Sequence, residues 1–514
     1  MVGVQRHLRP RHLIVGSSPA LQSIWVLGDQ LNRRLGPLDH ATPADARILM
    51  VESTAKLRSK PWHRQRAHLV ITAMRRFAAE LTAEGFEVDY RTADSLESGY
   101  RAHCDAFDPP KVVAMAPASW DGRQLLTHLG VDTVASNQFL CDPDEYRAWA
   151  AGKKRVKMED FYRWQRQRLG YLMDGDEPAG GRWNFDAENR EPPPRDGGSW
   201  PEPLRTPLDD LDHVVLSELP DTCWGDPPDG TWATSRAEAL RRLDYAVDEI
   251  LPLFGPHEDA MLSTNWHLAH TLLSPYLNLG LLLPDEVCDR AEVAYRGGSV
   301  PIASAEGFIR QIIGWREYVW CRYWEWMPDY RRENQLDAHR ALPPVLQGST
   351  TQMRCVEHVM RDLTRYGWTH HIQRLMILGN LALLSGVDPW LMTEWMWSGF
   401  VDGAEWVMLP NVVGMALHAD GGRMATKPYA AGGAYIDRMS DYCKECRFDR
   451  KQRVGDDACP FTTLYWSFLD RHREPFLRNA RVAQQVRAAD RLSDLDAVRA
   501  RADTVLAMLD AGTL

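Results

Sequence analysis

The feature that most constrains this chain is a change of apolar period part-way along it. Between residues 22 and 140, short apolar runs at 24–28, 48–52, 88–91, 112–116 and 131–135 read as strands. An amphipathic segment separates the second run from the third: Leu69, Met74, Phe77 and Leu81 recur at helical spacing over 63–84, and Gly85 supplies a stop. Strands alternating with helices predict a doubly wound parallel α/β sheet, with ligands at the carboxyl ends of its strands. Gly28-Asp29-Gln30-Leu31 is the first such end.

That pattern then stops. From 174 to about 212 the chain is rich in Pro, Gly, Asp and Glu, and Glu191-Pro192-Pro193-Pro194 can continue neither a helix nor a central strand. Residues 232–469 hold long helical patterns, which predict an all-α second half. Beyond 479, Arg, Asp and Ala with periodic Leu and Val predict surface helices. The expected division is a basic leader over 1–21, an α/β domain over 22–145, a connector over 146–231, a helical domain over 232–470 and C-terminal surface helices over 471–514. A chain of 514 residues exceeds what one core supports, so several domains are expected.

Composition excludes some partners and locations. The chain is 44% hydrophobic and 25% charged, as ordinary globular proteins are, and no apolar run reaches membrane-spanning length. Arg6, Arg9 and Arg11 precede only a three-residue apolar run at 13–15, too short for a secretory signal, so a cytoplasmic protein is expected. A net charge of −10 leaves nucleic-acid binding to a local basic face.

Four constellations carry chemistry. Cys443-x-x-Cys446, with Cys459 and the distant Cys355, offers four thiols to one centre: a structural zinc or an iron-sulfur cluster. His370 and His371 follow Trp368-Thr369; on a helix neighbours lie about 100° apart, so one can face a pocket while the other orients it, although a surface pair fits the residues too. Of 20 tryptophans, Trp390, Trp395 and Trp397 form one cluster and Trp315, Trp320, Trp324 and Trp326 another, readable as core or as an electron path. Thr271-Leu272-Leu273-Ser274, before Pro275-Tyr276, puts two hydroxyls at a helix start, suited to phosphate oxygens or to a plain cap.

In this order, these segments resemble the DNA photolyase and cryptochrome superfamily, specifically its bacterial iron-sulfur branch of photolyase-related proteins. The likeness runs from Ser23 to Trp466 through 24–31, 272–280, 307–318, 368–380, 410–422 and 435–446. It implies an antenna domain, then a helical FAD domain in which Thr271, Leu272, Leu273 and Ser274 look like the flavin-phosphate loop. Gln311, Trp315 and Arg316 fall in the stretch resembling the flavin-contacting helix, while Arg374 and Asp402 look like the pair over the flavin ring. Cys355, Cys443, Cys446 and Cys459 match the branch's four ligands to a 4Fe-4S cluster. Gln30, Glu52 and His63 fall where contacts to a ribityl-lumazine antenna are expected, and Trp395 where the first electron relay stands. Two departures are Met396, where relatives often carry an aromatic residue, and Met408, where a polar residue is expected beside flavin N5.

The implied activity is light-driven repair of pyrimidine-pyrimidone (6-4) lesions in ultraviolet-damaged DNA by a monomeric lyase. His370 and His371 would handle a proton at a base flipped from the duplex, and Arg423, Lys427 and Tyr429 would meet DNA near the lesion. Two other readings are a cryptochrome-type photoreceptor using the same flavin and a light-independent DNA-binding protein stapled by zinc.

Overall fold

The computed structural model describes residues 21–514, so the leader expected over 1–21 lies, up to residue 20, outside the described residues. Strands β1 (Gln22–Val26), β2 (Ala46–Ser53), β3 (Glu87–Ala93), β4 (Val112–Met115) and β5 (Asp132–Val134) form one parallel sheet in the order β3-β2-β1-β4-β5. Ile24 pairs with Ile48 on one side and Val113 on the other, so the order turns back at β1. All five expected strands are present, with β1 starting and ending two residues before the apolar run suggested.

Helices α1 (Arg64–Ala83), α2 (Leu96–Phe107) and α3 (Trp120–His128) link the strands, and both faces of the central strands are covered. That is why the strands read as continuous apolar runs. Leu69, Ala73, Met74, Phe77 and Leu81 of α1 pack on Ile24, Val26, Ile48 and Met50. On the other face Trp25, Leu49, Val51 and Ala114 meet Leu126, and Tyr100 stacks on Trp25 at 5.2 Å.

Residues 146–231, expected as a connector, are structured over much of their length. Helix α4 (Met158–Leu169) buries Phe161, Tyr162, Gln165 and Arg166, and Tyr162 donates a hydrogen bond to Glu306 at 2.7 Å. Helix α5 (Asp210–Glu218) lies on α1, where Asp212 takes an ion pair from Arg76 at 3.0 Å. Proline stops a helix only where it stands, and the flanking segments have enough aromatic surface to join the core.

The two halves share one hydrophobic cluster that runs from Ile24 and Leu31 to Tyr276, Tyr366 and Trp368. Leu31 N–H donates to the Leu279 carbonyl at 2.9 Å, and Asn32 Nδ2 to that of Gly280 at 2.9 Å. Gly280 has φ +78°, and a Cβ there would stand 2.7 Å from Leu35 Cδ1, so both conformation and approach require glycine.

In the helical half, π-helical segments Arg310–Arg316, Gln373–Gly379 and Pro410–Ala416 interrupt longer helices. Such segments shift side chains off the 3.6-residue period and concentrate at functional sites. The tail, expected as surface helices, closes the core: Leu495–Ala511 buries Val498, Ala502, Val505 and Leu509 and packs on Pro460–Arg471. No helix among the described residues is long and apolar enough to cross a membrane.

Candidate functional site

The site is assembled from loops and helix ends that are far apart in sequence. At its centre Arg374 grips Asp402 with two parallel hydrogen bonds, Nη1 to Oδ1 at 2.9 Å and Nη2 to Oδ2 at 3.1 Å. Arg374 Nε donates to the Thr369 carbonyl at 2.7 Å, and the guanidinium lies 4.1 Å over the Phe400 ring. Ser274 Oγ donates to Asp402 Oδ2 at 2.7 Å and Asn278 Nδ2 to the Asp402 carbonyl at 2.7 Å. The expected pair is therefore formed, and it also tethers the Thr271–Ser274 loop. Within that loop Leu272 has φ +57°, a strained value for a branched side chain, while the side chains of Leu272 and Leu273 are buried in the core. These two residues offer a ligand their backbone only.

Beside this clamp stand three histidines. His270 and His370 are buried and stacked, with ring centroids 4.7 Å apart and planes 15° apart, and His371 lies 5.6 Å from His270. Among the described residues, neither ring nitrogen of His370, nor Nε2 of His270, has a hydrogen-bond partner. Burial holds both imidazoles neutral, far below their usual pKa, and neighbouring histidines add to the effect. His371 differs. Burial depresses it, but the Asp259 carboxylate, 3.2 Å from Nε2, and Glu258 outweigh that and raise its pKa above 6.5. Glu258 accepts a hydrogen bond from Gln311 Nε2 at 2.7 Å, and burial raises its pKa to about 7. Two adjacent imidazoles thus have pKa values displaced in opposite directions.

The four cysteines also converge. Cys355 opens helix Arg354–Tyr366, Cys443 and Cys446 sit in and after the turn Tyr442–Glu445, and Cys459 caps Pro460–Arg471. All four line one small cavity with Tyr442 and Phe448. A Cβ at Gly433 would stand 2.9 Å from Cys459 Sγ, so glycine keeps the cavity open. No three of the sulfurs lie within 4.8 Å of one another. Tetrahedral zinc at about 2.3 Å per thiolate needs sulfurs about 3.8 Å apart, so the spread suits a wider, multi-atom centre. Burial raises the Cys355 thiol well above its usual value, and the sulfurs of Cys459, Cys443 and Cys446 raise it further. Four thiolates here require positive charge in their midst.

Other expected residues are placed differently. Arg316 turns away from Gln311: its guanidinium pairs with Glu317 at 2.7 Å, reaches the Gln138 carbonyl at 3.3 Å and covers Phe139 at 4.2 Å. It joins the two halves of the molecule through Gln138 and Phe139. Trp315 is partly buried against Tyr318. Of the expected antenna contacts, Glu52 is saturated by Arg75 and by Tyr90 Oη at 2.8 Å. His63 caps α1 by accepting from Gln65 N–H at 3.2 Å and meets the Thr364 carbonyl at 3.0 Å, so both ring nitrogens are committed and burial lowers its pKa to about 4. Gln30 spends only its amide nitrogen, on the Met115 and Ala116 carbonyls. Trp395 donates to the Leu346 carbonyl at 2.7 Å and meets Phe400 edge-on at 6.2 Å, so Phe400 intervenes between this indole and Arg374. Met396 and Met408 are buried. Arg423 pairs with Glu333 at 2.6 Å and lies over Trp326, Lys427 is exposed and Tyr429 half-buried. His270, Glu258, Asp259 and Phe400 were not anticipated. His270 adjoins Thr271, but its partners lie 100 residues away and leave no local periodic trace.

Two solved structures share this arrangement of a parallel sheet joined to a helical body. A bacterial class III photolyase from Agrobacterium tumefaciens aligns over 97% of this chain and all of its own, with a TM-score of 0.58 and 16% identity. A Synechocystis cryptochrome aligns over 77% of this chain and 83% of its own, with a TM-score of 0.53 and 14% identity. The fold is thus that of photolyases and cryptochromes. In sequence, residues 24–227 match the family described as deoxyribodipyrimidine photo-lyase-related protein. A (6-4) photolyase of Agrobacterium fabrum is 41% identical over 507 residues, which is 95% of this chain and all of the relative. The chain belongs to the photolyase-related family of the photolyase and cryptochrome superfamily.

Proposed function

We propose that this protein is a (6-4) DNA photolyase that binds FAD in the helical half and a 4Fe-4S cluster at Cys355, Cys443, Cys446 and Cys459. The observation that carries the activity is the cluster of His270, His370 and His371, with His371 held by Asp259, beside the Arg374–Asp402 clamp. The relative's name supports the same lesion. Bound in the helical half in its reduced form, FAD would supply light-driven, reversible one-electron chemistry with no net use of reductant.

The chain's own groups do the rest. The Thr271–Ser274 loop, Gln311 and the Arg374–Asp402 pair are the groups that would hold the flavin. His371, which exposes about half of its side chain, is the proton donor to the flipped base, and Asp259 keeps it charged. His370 is sealed beneath it and takes up a hydrogen bond that its bare ring nitrogens lack. A damaged base stacks and pairs poorly, so extrusion into this pocket costs least at the lesion. The spread of the cysteine sulfurs supports a cluster over zinc. A ribityl-lumazine antenna at the carboxyl end of β1, with Gln30 as a contact, completes the reading, as does a monomer acting in the cytoplasm on ultraviolet-damaged DNA.

Illumination of the flavin-loaded protein with oligonucleotides carrying one defined photoproduct tests this. Restoration of the (6-4) site, with the cyclobutane dimer untouched, is the expected result. Failure on the (6-4) substrate at full flavin content refutes it.

A further inference from the structure

The cavity holding the cysteines and the pocket holding the histidines are joined by one buried chain of contacts. Tyr442, next to Cys443, is 1% exposed, and its ring stacks on His358 with centroids 5.3 Å apart and planes 13° apart. His358 lies one turn after Cys355 on helix Arg354–Tyr366. The ring of Tyr442 is thus clamped between two elements that the cysteine site ties together. Its hydroxyl accepts a hydrogen bond from Gln373 Nε2 at 3.0 Å. Gln373, fully buried, in turn accepts from the backbone N–H of His370 through Oε1 at 3.1 Å. His370 then accepts Arg374 N–H on its carbonyl at 3.1 Å, at the start of the π-helical segment.

Each link is the sole hydrogen bond its side-chain atom makes among the described residues, so the chain has no bypass. Tyr442 touches neither the proposed flavin residues nor the exposed histidine. Its hydroxyl serves only to hold the Gln373 amide, and the Gln373 amide serves to hold the backbone at which the catalytic segment begins. Low dielectric around such a bridge makes its loss costly and its geometry definite.

We infer that Tyr442 and Gln373 are positioning residues that transmit the occupancy of the four-cysteine site to the His370–Arg374 segment, the stacked ring and the two buried hydrogen bonds being the link. The inference rests on the proposed repair reaction only for its effect on turnover; the link itself is read separately.

The test is amide hydrogen exchange over residues 369–374 in flavin- and iron-loaded protein, with repair turnover measured alongside. Tyr442→Phe removes one hydroxyl and keeps the ring. It is expected to leave iron and flavin contents unchanged, to speed exchange at the His370 amide about five-fold, as loss of one buried hydrogen bond does, and to lower turnover without changing the KM for lesion DNA. Gln373→Met, which removes the acceptor of the His370 N–H itself, should speed that exchange further, and the double variant should match Gln373→Met. Chelation of iron from wild-type protein should speed the same amides and should have no further effect on them in Tyr442→Phe. Unchanged exchange at His370 in fully loaded Tyr442→Phe overturns the inference, as does an equal chelation effect in both proteins. Should chelation unfold the chain, the Tyr442→Phe exchange pattern alone decides. If wild-type protein leaves (6-4) lesions intact while exchange behaves as stated, the repair reading fails and the link stands.

Discussion

His370 and His371 are neighbours in sequence, yet burial lowers the pKa of the first while, with help from Glu258, the Asp259 carboxylate raises that of the second. Asp259→Asn removes it, so the pKa of His371 falls and the alkaline limb of the repair rate moves to lower pH; a pH–rate profile with an unmoved limb counts against His371 as the donor. Because this pKa is raised in the folded state, the group's stabilisation is complete below pH 6.5 and fades as pH rises through the folded value, so the variant also loses stability on the acid side. Glu258 behaves alike for another reason. Burial lifts its pKa from 4.5 to about 7, so the folded state gives up its proton later than the unfolded one and stability declines as pH rises from about 4.5 through 7. Glu258→Gln keeps the shape and loses the titration; denaturation midpoints at pH 5 and pH 8 should then draw together. Asp402→Ala strands Arg374 and Ser274 and should cost about 3 kcal/mol, with loss of bound flavin, seen in thermal melts and in the visible spectrum.

At the scale of elements, the cysteine site shows how three segments become one unit. Helix Arg354–Tyr366, the turn Tyr442–Glu445 and helix Pro460–Arg471 meet around the four cysteines, so Cys446→Ala should yield insoluble or cofactor-poor protein. Soluble, flavin-loaded and active material from that variant would remove the structural role. The tail adds apolar support: Phe468, fully buried, packs on Phe476 at 5.5 Å. The five strands and α1 were legible in the sequence because a parallel sheet leaves unbroken apolar runs and α1 keeps a 3.6-residue period. Helices α4 and α5 were not, because proline and acidic residues around them hid short periodic stretches.

Across the whole molecule, the halves are bonded rather than tethered. Glu317 Oε2 accepts the N–H groups of Leu140 and Cys141 at 2.7 and 2.9 Å, and Arg316 bridges to Gln138 from the same turn. A net charge of −10 makes any DNA contact depend on local cations. Lys427 is exposed and makes no ion pair among the described residues, whereas Arg423 is already paired with Glu333. Lys427→Ala should therefore lower the salt dependence of DNA binding by about one phosphate contact, and Arg423→Ala by less, read as the slope of log Kd against log salt.

The sequence by itself determined the sheet, the helical second half, the four thiols and the adjacent histidines. Each is a matter of local period or of residue type, and these survive in one dimension. Only the tertiary structure decided that the pKa of His371 is raised while that of His370 is lowered, that Glu52 and His63 are spent within the protein, and that Arg316 binds the halves together. Those outcomes depend on burial and on partners tens to hundreds of residues away, and chain order carries no trace of either.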